Sequence, residues 1–169
     1  MLSLKKKNYL QNTTNVRAGL IVSAESPMVL QIIGLGSCIA IAFYSQELTF
    51  GSFAHVMLPS KFGAKTPEMK GKYADTAIPE LLSVFKKKKI KIKDIKVKLV
   101  GGSSMFSSTS KDKNNIATRN INAIKKIIKE SNLSISSEHL GGSRGRSVYF
   151  HLDTGKIQIF YGGNLIKEI

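Results

Sequence analysis

Six consecutive apolar residues, Ile39-Ala40-Ile41-Ala42-Phe43-Tyr44, follow directly on a turn that carries two glycines, Gly34-Leu35-Gly36-Ser37-Cys38. Large and small side chains alternate through the run, as in a packed strand, although at this length a short helix fits as well. Before the glycines, residues 29–33 are apolar and β-branched and read as a strand, as do residues 17–22. Such segments need a core. The chain's 169 residues suit one domain, and a hydrophobic fraction of 42% is that of an ordinary globular protein.

Residues 51–58 read as the returning strand of a hairpin with 39–44, joined by a turn at 45–48 and ended by Pro59. Residues 60–72 are polar, contain Gly63, Pro67 and Gly71, and predict a surface loop. Asp75 and Thr76 stand where a helix begins, and Ile78, Leu81, Leu82 and Phe85 follow at helical spacing. Pro79 is tolerable in that helix only within its first turn. A strand over 95–100 runs into Gly101-Gly102-Ser103-Ser104. A second helix spans 115–130, with Ile116, Ile121, Ala123, Ile124, Ile127 and Ile128 mostly on one side. Residues 135–140, 147–152 and 156–161 read as closing strands, the last two joined through Asp153-Thr154-Gly155. Many strands with two amphipathic helices predict an α+β or layered α/β domain. Residues 1–15 carry lysines with no apolar stretch after them and read as a flexible basic tail ahead of a single domain over 16–169. No apolar run approaches the roughly 20 residues that a bilayer demands. One cysteine makes no internal disulfide, which suits a cytoplasmic location.

Lys and Arg number 26 against 11 Asp and Glu, a formal charge of +15. Such an excess attracts nucleic acid, anionic membrane or an acidic protein surface. The densest run is Lys86 to Lys89 with Lys91, Lys93, Lys96 and Lys98, alternating with Ile90, Ile92, Ile95, Val97 and Leu99. It reads as a helix C-terminus followed by the wet face of a strand. Few aromatics are interleaved with it, whereas single-stranded nucleic-acid sites offer stacking platforms. A solvated face is the preferred reading, with no nucleic-acid partner and no membrane insertion expected.

Cys38 is the first candidate for chemistry. A glycine-rich turn after a strand can present successive backbone N–H groups to a developing oxyanion, and a thiol there can have its pKa lowered. Taken alone, a free cysteine more often simply packs. His55, inside the apolar strand Phe53-Ala54-His55-Val56-Met57-Leu58, shifts that balance. In a hairpin, Cys38 and His55 approach each other near the open end. A Cys–His pair is the minimal set for attack on an amide, because imidazole takes the thiol proton and delivers it to departing ammonia. His139 and His151 have no metal-ligand spacing, and no dinucleotide or Walker fingerprint is present. Asp75 reads as a helix cap. Gly141-Gly142-Ser143-Arg144-Gly145-Arg146 reads as a basic, anion-binding turn or simply a turn.

Gly34-Leu35-Gly36-Ser37-Cys38 followed by Ala54-His55-Val56-Met57-Leu58-Pro59 resembles the CheD family of chemoreceptor glutamine deamidases. Further matching pieces are Lys72-Tyr73-Ala74-Asp75-Thr76-Ala77, Gly101-Gly102-Ser103-Ser104-Met105-Phe106, Arg119-Asn120 and Gly141 to Val148, in the family's order. The resemblance implies a layered α/β fold, a mixed β-sheet with two main helices akin to glutamine-deamidating bacterial toxins, and no metal or other cofactor. It implies hydrolysis of glutamine side chains to glutamates, with release of ammonia, on the cytoplasmic helical bundle of methyl-accepting chemotaxis receptors. Cys38 is then the nucleophile and His55 its base. Gly36 and Ser37 belong to the oxyanion turn, and Gly102, Ser103 and Ser104 line the substrate pocket. One departure stands out. The family commonly carries a threonine six residues before the cysteine, which completes a triad, and Ile32 stands there. A backbone carbonyl or a water can orient the imidazole instead. That departure keeps open a second reading, a weakly active or non-catalytic regulator that binds a CheC-type phosphatase through the same cleft.

Overall fold

The computed structural model describes residues 12–63, 69–104 and 115–169. Among the described residues, ten strands and two helices form three layers. The strands are β1 (Thr13–Asn15), β2 (Ile21–Glu25), β3 (Val29–Leu35), β4 (Ile39–Ser45), β5 (Phe50–Val56), β6 (Lys96–Gly101), β7 (Ile135–Leu140), β8 (Arg146–His151), β9 (Lys156–Tyr161) and β10 (Asn164–Glu168). The helices are α1 (Ala74–Lys87) and α2 (Ile116–Glu130). One sheet runs β1-β3-β8-β9-β10 and the other β2-β5-β4-β6-β7. Each is mixed, since β1 pairs in parallel with β3 and β6 with β7 while the remaining pairs are antiparallel. Parallel neighbours need a crossover, and α2 supplies the one between β6 and β7. The layered domain with two main helices expected from the sequence is thus present, its strands shared between two sheets.

Central strand β4 shows why the layers stack as they do. All seven of its residues are buried. Ile39, Ile41 and Phe43 point to the helices, where they pack with Ala77, Ile78, Leu81 and Phe85 of α1 and Ile124 and Ile128 of α2. Ala40, Ala42 and Tyr44 point the other way, against Leu30 and Ile32 of β3 and Val148 and Phe150 of β8. Large residues fill the space beneath the helices, while small ones let the two sheets close on each other. The alternation read from the sequence is therefore that of a strand with both faces covered.

Several boundaries differ from the sequence reading. Residues 17–20 form a turn, with Gly19 at φ 79° and Leu20 N–H bonded to Arg17 O at 3.0 Å, so the strand starts at Ile21. Thr13–Asn15, placed with the tail, pair with Val29, Leu30 and Gln31, and residues 1–11 lie outside the described residues. Ile92–Asp94 form a short 3₁₀ turn and Ile92 is exposed, so strand alternation begins only at Lys96. Pro79 sits at the sixth position of α1, in its second turn, where its missing N–H leaves Asp75 O without the usual helical donor. The burial of Ala77, Ile78, Leu81 and Phe85 holds the helix despite that loss. Asp75 is not the cap: Tyr73 occupies that position, and the Asp75 carboxylate accepts from Ser60 Oγ at 2.7 Å and from Lys61 N–H at 3.0 Å, pinning the loop after β5. No helix among the described residues is long and apolar enough to cross a membrane.

Candidate functional site

The β4–β5 register pairs Ala40 with His55 and ends at Ile39 and Val56. Cys38 lies two residues before Ala40, on the same face of the hairpin, and packs against the inter-sheet cluster that Ala40 and Phe53 also join. Alternation along β5 puts His55 on the Phe53 face as well. The thiol and the imidazole are therefore on one face, diagonal to each other across the open end of the hairpin.

The turn that holds Cys38 is fixed through its carbonyls. Gly36 O accepts from Ser103 N–H at 3.0 Å, Ser37 O from the Asn120 side chain at 3.1 Å, and Cys38 O from Gly102 N–H at 2.9 Å. Glycine is required at two points. Gly34 has φ 72°, where β3 breaks register with β8, and Gly101 has φ 124° and sits so close that a Cβ would lie 2.3 Å from Cys38 O. Of the predicted pocket residues, Gly102 and Ser103 thus brace the turn by their backbones, and the Ser103 side chain is buried without a partner. Ser104 N–H reaches Gly142 O at 2.9 Å.

His55 is 9% exposed. Its Nδ1 lies 3.3 Å from Val16 O, and its backbone is tied to Gly19 and Leu20. A carbonyl only accepts, so Nδ1 carries the proton and Nε2 the lone pair. Burial pushes the imidazole pKa down, a shift partly offset by the Val16 bond, so the ring is neutral at physiological pH. Ile32, the departure noted in the sequence, is buried in the inter-sheet core; the acceptor beside the ring is the Val16 carbonyl. Burial also pushes the Cys38 thiol up, with its own backbone amide opposing. The lowering expected from the turn is therefore overturned: desolvation outweighs the amide field. Both shifts favour the neutral forms, a protonated thiol and a neutral imidazole, over a preformed thiolate–imidazolium pair.

Arg146 takes no part in an anion-binding turn and favours the plain-turn reading of its loop. It is 2% exposed, and its guanidinium donates to Gly141 O, to His139 O at 3.0 Å, to Arg144 O at 3.4 Å and to His139 Nδ1 at 2.7 Å. The charge is spent on holding the loop, and His139 is kept neutral by burial and by Arg146. Among the described residues no group of three His, Cys, Asp or Glu side chains could hold a metal ion. Sequence reasoning missed two contributors. The Val16 carbonyl leaves no trace in a sequence, but Asn120 does: a polar residue on the stripe shared by Ala117, Ile124 and Ile128.

By architecture and site this is a layered α+β domain with a thiol–imidazole pair at the open end of its central hairpin. Comparison with known proteins gives its family: the chain belongs to the CheD family. The family described as CheD chemotactic sensory transduction matches residues 57–160. A Thermotoga maritima protein named chemoreceptor glutamine deamidase CheD is 40% identical over 135 residues, which is 80% of this chain and 83% of the relative. Proteins named probable chemoreceptor glutamine deamidase CheD are similar too. The one from Clostridium kluyveri is 38% identical, covering 87% of this chain and 91% of its own; that from Methanococcus maripaludis is 40% identical, covering 89% and 96%.

Proposed function

We propose that this protein hydrolyses glutamine side-chain amides of chemoreceptors to glutamates in the cytoplasm, with Cys38 as nucleophile and His55 as general base. The observation that carries the reading is a neutral His55, its Nε2 lone pair free of the Val16 contact, on the same hairpin face as Cys38. The relatives' names supply the substrate class.

His55 Nε2 takes the Cys38 proton as sulfur attacks the carboxamide carbon, and the carbonyl π pair moves to oxygen. The carbonyls of Gly36 and Ser37 are held by Ser103 N–H and Asn120. In a trans peptide the following N–H points the opposite way, so the Ser37 and Cys38 amides turn to the other side of the turn and receive the oxyanion. The tetrahedral adduct collapses, the C–N bond breaks, and the imidazolium protonates the departing amine to ammonia. Water, deprotonated by the same Nε2, then attacks the thioester, which releases glutamate and returns the proton to sulfur. Gly102, Ser103 and Ser104 form the wall next to the turn, and the receptor is the partner. The regulator reading rested on Ile32; with the Val16 carbonyl beside Nδ1 that objection to catalysis loses its force.

Ammonia release from a purified receptor cytoplasmic domain tests the reading. The native protein is expected to release it and Cys38→Ala to release none. Equal release by both would remove Cys38 from the chemistry; binding of a CheC-type phosphatase without any release would restore the regulator reading.

A further inference from the structure

We infer that Asn120 is the positioning residue that holds the Cys38 turn and the His55 strand at reacting distance. This rests on the proposed Cys38–His55 chemistry. The β4–β5 ladder ends at Ile39 and Val56, and past it the strands part: Met57 and Leu58 N–H both turn to Lys72 O, at 3.0 Å. At that point the Asn120 amide nitrogen donates to Ser37 O at 3.1 Å and to Met57 O at 2.9 Å. Ser37 directly precedes the nucleophile, and Met57 lies two residues after the base. One side-chain amide thus serves as an extra rung beyond the last backbone pair, joining the two pieces of chain whose spacing sets the thiol–imidazole geometry. An NH₂ group suits this, since both acceptors are carbonyls and one nitrogen carries both donors.

The surroundings of Asn120 support a directed role. It is fully buried, and it falls on the apolar stripe of α2 between Ala117 and Ile124. Its Oδ1 is buried without a partner, so the residue is not there to satisfy itself. A leucine would pack the stripe with no orphaned acceptor; what the amide adds is the pair of bonds. α2 is itself well anchored for aiming the group: the Asn115 side chain caps its N-terminus by accepting from Thr118 N–H at 2.9 Å, and Ile124 and Ile128 seat it on the sheet. The helix carries the brace, and the brace acts through Cys38 and His55 without touching substrate.

Asn120→Leu keeps the branched shape, with somewhat larger ends, and removes both bonds. The expected result is a folded protein whose kcat falls roughly ten- to hundredfold, the scale of misplacing a catalytic group by about 1 Å, with KM little changed. The free protein gives a second readout. The rate of Cys38 alkylation by iodoacetamide is expected to follow His55 deprotonation in the native protein and to lose that pH dependence in the variant. Asn120→Ser, which can donate only one bond, is expected to fall between the two, and stands in if the leucine variant does not fold. Leu81→Ala, on α1 in the same core cluster, weakens packing without touching the helix that carries the brace and is expected to keep the native kcat and alkylation profile. A native profile and kcat in folded Asn120→Leu or Asn120→Ser would overturn the inference, as would an equal loss in Leu81→Ala. Because alkylation needs no substrate, a native protein that releases no ammonia would remove the proposed function while still leaving the brace to be judged by its own readout.

Discussion

Burial acts on both members of the Cys38–His55 pair, raising the thiol and lowering the imidazole, and so favours the neutral form of each. The proposed chemistry requires His55 unprotonated, and protonation would remove the base. Since the folded pKa lies below the ordinary histidine value of about 6.5, activity should survive mild acid and fall only as pH drops through a midpoint under that value. A kcat/KM profile checks this, and an acid limb at or above 6.5 would mean that the ring is better solvated than the structure has it. Ile32→Thr tests the orienting carbonyl. With Val16 O already beside Nδ1, the added hydroxyl has no vacant role and costs buried apolar contact. The expected outcome is a rate within about twofold of native and a stability loss of roughly 1–3 kcal/mol. A large rise in kcat would show the Val16 carbonyl to be a poor substitute. Cys38 and His55 were legible in the sequence because a glycine turn and an apolar strand made each conspicuous. The partner of His55 was not, because a backbone carbonyl belongs to the fold and to no side chain.

Elements were legible where burial imposes a period. β4 and β5 are buried throughout, and α2 shows its face at helical spacing. β10 was missed because all five of its residues are exposed, and β1 because three residues carry no period. The lysine–isoleucine alternation misled because Ile92 is exposed at a 3₁₀ turn, a conformation that the pattern does not distinguish from a strand edge. Two element-level predictions follow from local geometry. Pro79 is exposed and sits in the second turn of α1. Pro79→Ala restores an N–H for Asp75 O and should raise stability by about 1–3 kcal/mol, read as a higher Tm; a lower Tm would mean that the ring's packing outweighs the bond. Gly101→Ala places a Cβ against Cys38 O at a φ of 124°. It should lower both Tm and kcat, because β6 and the Cys38 turn have to move apart; unchanged kcat would show the turn to be less dependent on β6.

At the scale of the molecule, three layers put the candidate site and the strongest charge at opposite ends of one sheet. β4 and β6 pair from Ile39 and Gly101, beside Cys38, to Tyr44 and Lys96, beside the exposed lysines 86–89, 91 and 93. The densest charge therefore lies away from the cleft and can reach an acidic surface there only as a field. If it steers association with an acidic receptor surface, kcat/KM should fall as ionic strength rises while kcat holds; a flat response would remove the basic surface from docking. The layered class was readable from strand and helix patterns, whereas the division into two sheets was not, because it depends on which strands pair and not on what each strand is. The most direct test of the central claim is mass spectrometry of a receptor cytoplasmic domain after incubation with the native protein, Cys38→Ala or His55→Ala. The account predicts glutamine-to-glutamate conversion at defined receptor positions with the native protein and none with either variant. Conversion that persists in Cys38→Ala, or that is absent with all three proteins, would contradict it.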